Sequence, residues 1–101
     1  MKCSRAALEP EIIMLPATYF YSFRPEIPMA EVEDSLTLAT MAAESLHGRS
    51  RVRLEARFVL EADRRACRIE AATPVGQDLA SIFTGLLARQ FGEEGFSVEA
   101  R

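Results

Sequence analysis

The stretch Thr73–Ala80, TPVGQDLA, places a glycine at the start of a helix-forming run, just after a strand-like one. Such a turn can cradle a phosphate, because the first N–H groups of a helix are unpaired and its dipole favours an anion there. Gly76 would permit the close approach. Three neighbours argue the other way. Pro74 has no N–H to offer, Asp78 adds negative charge to the first turn, and no lysine follows the glycine as it does in phosphate-binding loops. Thr73 can itself accept the N–H bonds as an N-cap, a contribution of about 1 kcal/mol. A structural cap therefore outweighs an anion site. Gly76 is then expected to serve close packing against a neighbouring strand.

The remaining reactive residue types are sparse. His47 is the single histidine. It falls at the end of a helical run, where a partial positive charge is favourable, and no second metal ligand lies near it in sequence. The two cysteines, Cys3 and Cys67, stand far apart with no Cys-x-x-Cys spacing and read as free thiols of a reducing compartment. Cys67 sits on an apolar strand face, where a thiol behaves as a small hydrophobe. Glu31, Glu33 and Asp34 mark a helix start, and Glu93 with Glu94 a turn. Catalytic carboxylates need a cleft that shifts their pKa, and nothing in the sequence marks one. No cofactor or metal is expected.

The elements that must position these residues follow from periodicity. Residues 1–16 are irregular and form an N-terminal arm, broken by Pro10 and Pro16; Met14 is an alternative candidate for the first residue. Residues 17–101 form one domain. Ala17–Phe23, ATYFYSF, is an aromatic strand. A helix spans Pro28–His47, with Met29, Val32, Leu36, Ala39, Ala43 and Leu46 on its buried stripe and Gly48 as a left-handed cap. Ser50–Glu61, SRVRLEARFVLE, alternates and reads as one long half-buried strand. A turn centred on Asp63 and Arg64 returns the chain through Cys67, Ile69 and Ala71. The resulting hairpin pairs Leu60 with Cys67, Phe58 with Ile69 and Ala56 with Ala71, and sets Arg57 opposite Glu70. A second helix spans Pro74–Phe91, stopped by Gly92, and GFSVEA is the last strand.

The order β-α-β-β-α-β resembles the ferredoxin-like split arrangement, an α+β fold. It implies a four-stranded antiparallel sheet in the order 4-1-3-2 with two helices on one face. A superfold implies no function by itself. The composition is ordinary and globular, with 49% hydrophobic and 27% charged residues among 101. The net charge of −3 weighs against nucleic acid. No segment is apolar enough for a signal peptide or a membrane span, so the expected setting is cytoplasmic.

Three functions remain open. The leading one is a non-catalytic module acting through self-association, as a homodimer, or through a protein partner. Leu38, Met41 and the small-residue stripe around Gly85 lie opposite the helices' core stripes and mark its candidate interface. The alternative is a dimeric α+β barrel, a small-molecule binder or enzyme. Its pocket on the open sheet face would be lined by Tyr19 and Tyr21 with Arg57 or Arg68, if those tyrosines point outward. Their set is the more apolar of the two faces of that strand, which favours inward. Single-stranded nucleic-acid binding is the weakest of the three.

Overall fold

The computed structural model of the chain describes residues 18–101. The N-terminal arm, Cys3 and the alternative start at Met14 lie outside the described residues. The elements are β1 (Thr18–Phe23), α1 (Met29–His47), α2 (Arg49–Glu55), β2 (Arg57–Glu61), β3 (Ala66–Glu70), α3 (Pro74–Phe91) and β4 (Phe96–Ala100). The strands form one antiparallel open sheet in the order β2-β3-β1-β4. Counted from the other edge, this is 4-1-3-2.

Among the described residues the helix count corrects the sequence reading, with three α-helices in place of two. Residues 50–61 are not one strand: Arg49–Glu55 is helical, and only Arg57–Glu61 is extended. Alternation over five residues is compatible with a short helix, and Arg, Leu and Glu are all good helix formers. The helical period was present as well. Val52 and Ala56, four apart, pack with Ala43 and Val75 in a small second core, and Arg51 Nε donates to Glu55 Oε2 at 3.0 Å, an i,i+4 pair. Leu54, read as inward-facing on a strand, is 72% exposed.

The hairpin register holds where the strand exists. Leu60 pairs with Cys67, Phe58 with Ile69 and Arg57 with Glu70. Ala56 ends α2 instead of joining the ladder. A 3-10 turn, Ala62–Arg64, closes the hairpin, followed by Arg65 in the left-handed conformation at φ 53°. The Arg65 guanidinium donates to the carbonyls of Arg24 and Ile27, tying the hairpin tip to the loop after β1.

The core lies between the sheet and the helices. Tyr21, Phe23, Cys67 and Ile69 from the strands meet Val32, Leu36 and Ala39 of α1 and Leu79, Phe83 and Leu87 of α3. Tyr21 and Phe83 make an edge-to-face pair with ring centroids 5.0 Å apart. Helices α1 and α3 run antiparallel and are tied at both ends. At one end Ser35 Oγ donates to Gln90 Oε1 at 2.9 Å, and Gln90 Nε2 donates to Glu31 Oε1 at 2.8 Å. At the other, His47 Nε2 and Asp78 Oδ2 are 2.7 Å apart. Gly48 takes the expected positive φ of 88°, but with ψ 150° it is not left-handed helical, because it links α1 directly to α2.

Candidate functional site

The turn at Thr73–Ala80 is structural. Thr73 Oγ1 accepts from the N–H of Gly76 at 3.0 Å. A Cβ at Gly76 would stand 2.2 Å from the carbonyl oxygen of Glu70 and 3.0 Å from Cα of Ala71. The glycine therefore lets the first turn of α3 lie directly on the end of β3. Asp78 is engaged with His47, a pairing that neither residue's sequence neighbourhood announced. Only the antiparallel packing of α1 on α3 brings them together. The same tie leaves His47 largely buried between helices, as a linker of two elements.

The groups pushed furthest from their ordinary ionisation are sealed in the core. Burial raises the Tyr21 phenol from 10.0 to about 12, against a lowering contribution from its hydrogen bond to Thr84 Oγ1 at 2.8 Å. Burial also raises the Cys67 thiol from 9.0 to about 12. A buried thiol held protonated is a poor nucleophile and a poor metal ligand. No cluster of three or more metal-ligating side chains occurs among the described residues. Among the same residues, no helix is long and apolar enough to cross a membrane.

The residues expected for a sheet-face pocket are not brought together. Tyr19 and Tyr21 share the helix-facing side of β1, Tyr21 fully buried. Arg57 and Arg68 lie on the opposite, open face. That face instead presents Phe20, which shares the less apolar face of β1 with Thr18 and Ser22. In register, a row runs across the sheet from Val59 through Arg68 and Phe20 to Glu99. The guanidinium of Arg101 sits 4.3 Å from the Phe20 ring centroid and covers it.

The helices' outer residues divide. Leu38 and Met41 are exposed on α1. Gly85 is exposed on α3, and a Cβ there would meet nothing within 4 Å. Met41 belongs to a larger feature. A groove of about 560 Å³ runs between α1 and the edge strand β2, with Leu36, Met41, Phe58 and Leu60 as its apolar surface. Glu33, Glu44 and Arg49 form part of its polar rim. Phe58 is 41% exposed although its cross-strand neighbour Ile69 is wholly buried. Val59, on the other side of the same strand, is also exposed.

Protein-family models, curated proteins and solved structures give no match to this chain. Function must therefore be argued from the geometry. Its outstanding feature is an apolar flank at one sheet edge, where Met41 of α1 and Phe58 of β2 border one groove.

Proposed function

We propose that the chain is a non-catalytic association module that works by binding a second copy of itself through the α1–β2 flank. The observation that carries this reading is the exposure of large apolar side chains from two elements across one groove: Met41 of α1 and Phe58 of β2. Scattered surface hydrophobics are ordinary, whereas a contiguous patch beside a strand edge that no described strand pairs favours association. The strand order and the two crossovers support reading the fold as ferredoxin-like, with α2 as an addition to the first crossover. A cytoplasmic setting belongs to the same reading, motivated by the unpaired, buried thiol of Cys67.

Light scattering coupled to size exclusion, run over a concentration series, tests the proposal. A dimer that dissociates on dilution is the expected result. A monomer at every concentration up to hundreds of micromolar overturns it.

A further inference from the structure

We infer that the dimer forms by antiparallel pairing of β2 with β2 of the second copy, about a two-fold axis through Val59. This rests on the self-association proposed above and specifies the surface it uses. Strand β2 reads Arg57-Phe58-Val59-Leu60-Glu61 and lies at the edge of the sheet. Among the described residues, no strand lies beside its outer backbone groups. Edge strands that avoid pairing are very short or carry like charges, proline or a bulge. β2 is short, but it contains no proline, its ladder with β3 runs without interruption over all five residues, and its two charges, Arg57 and Glu61, are opposite in sign and stand at its two ends.

The sequence of β2 complements itself when reversed. Centred on Val59, antiparallel pairing sets Arg57 opposite Glu61 of the second copy, twice by symmetry. It sets Phe58 opposite Leu60, also twice, and Val59 opposite itself. Charges of opposite sign meet on the open face, and the apolar pairs meet on the helix side. A shift of the centre by one residue in either direction places Arg57 or Glu61 opposite Val59 and loses the charge pairing. A centre between two residues turns the second sheet over and puts an apolar side chain opposite a charged one.

The present contacts of the two charged residues are weak and exposed. Arg57 Nη1 reaches the Leu54 carbonyl at 3.3 Å, and Arg64 Nε stands 3.9 Å from Glu61 Oε1. Pairing would make one eight-stranded sheet with all helices on the same side. The α1–β2 grooves of the two copies would join into one trough floored by both Phe58 and both Leu60 side chains. The other edge has no such complement. Reversal of β4, Phe96-Ser97-Val98-Glu99-Ala100, sets Ser97 opposite Glu99, and Glu99 already accepts from Arg101 Nη2 at 2.9 Å.

Charge exchange between copies tests the register. Arg57→Glu alone and Glu61→Arg alone each create like pairs and should weaken dimerisation roughly tenfold or more. Mixed in equal amounts, the two variants restore both opposite-charge pairs and should form a heterodimer near wild-type affinity. Such recovery also shows that both variants are folded. Dimers that ignore both single substitutions overturn the β2 pairing while leaving self-association standing, and so do weakened variants that fail to recover on mixing. A monomeric wild type overturns both.

A cysteine at the axis provides a second measurement, independent of charge. Directly opposed residues of an antiparallel pair stand about 4.5–5.5 Å apart at Cα, within disulfide range. In a Cys3→Ser background, Val59→Cys should cross-link on mild oxidation, and Leu38→Cys on the outside of α1 should not. Equal cross-linking at both positions, or none at residue 59, overturns the pairing.

Discussion

Ile69 and Phe58 face each other across the same hairpin, yet one is sealed and the other stands open. The difference comes from position in the sheet. Strand β3 is internal, so Ile69 has strands on both sides and the core packed over it. Strand β2 is at the edge, where α1 does not reach far enough to cover Phe58. Two apolar residues paired in one ladder therefore differ in burial: Ile69 is sealed in the core, and Phe58 is left half-open. Truncation should separate them more than any other pair in the molecule. Ile69→Ala should cost about 3 kcal/mol or more of unfolding free energy. Phe58→Ala should cost under about 1 kcal/mol when measured at concentrations too low for association. Urea denaturation of both variants decides this. A Phe58→Ala cost equal to that of Ile69→Ala would mean that the edge is as closed as the centre.

The sealed region also contains Gly76, where an added Cβ would meet backbone at a shorter distance than at any other described glycine. Gly76→Ala drives a methyl group into the carbonyl of Glu70 and against Cα of Ala71, and the atoms it meets are all backbone. Relief requires α3 to move away from β3, so the expected loss is about 2–3 kcal/mol. An unchanged urea midpoint would show that α3 and β3 separate without cost.

Much of this contrast was legible beforehand, and the exceptions have identifiable causes. The hairpin register followed from alternation, turn position and the Arg57–Glu70 opposition agreeing on one answer. The cap at Thr73 and the close approach at Gly76 followed from local chemistry. The inward orientation of Tyr19 and Tyr21 followed from their being the more apolar set. Helix α2 was hidden because Val52 and Leu54 alternate with arginines, which suits a strand as well as a helix of about two turns. The His47–Asp78 tie was hidden because it depends on how α1 lies on α3, a tertiary fact with no local signal. The α1–β2 flank was half visible. Met41 stands out in the helix pattern, but alternation only puts Phe58 on the apolar face of its strand, since periodicity gives a residue's face and says nothing of whether its strand is covered.

Alkali should attack the sealed region and leave the flank alone. The folded-state pKa values of Tyr21 and Cys67 are both raised to about 12, from 10.0 and 9.0. The folded state thus favours the neutral forms. Their contribution is fully present below pH 9. It falls first through Cys67 from pH 9 and then through Tyr21 from pH 10, until both are lost near pH 12. By pH 10 the loss should be on the order of 2 kcal/mol, most of it from Cys67. Urea midpoints measured across this range test it, and Cys67→Ala should move the onset of the decline from pH 9 to pH 10. A decline starting at the same pH in that variant would place its cause elsewhere.

The smallest expected effect has the opposite sign and turns on a second pair, the two glycines of α3. Gly76 is pressed against β3, whereas a Cβ on Gly85 meets open space on an exposed helix face. With nothing to clash, Gly85→Ala gains only the helix propensity of alanine, so the domain should become more stable by up to about 1 kcal/mol. The same substitution also separates two possible association surfaces. If the small-residue stripe around Gly85 seated a second subunit, an added methyl group would weaken the dimer. If the copies meet along β2, dimer affinity should stay as it was while the urea midpoint rises. A lowered affinity with a raised midpoint would move the interface from the β2 edge to the outer face of α3.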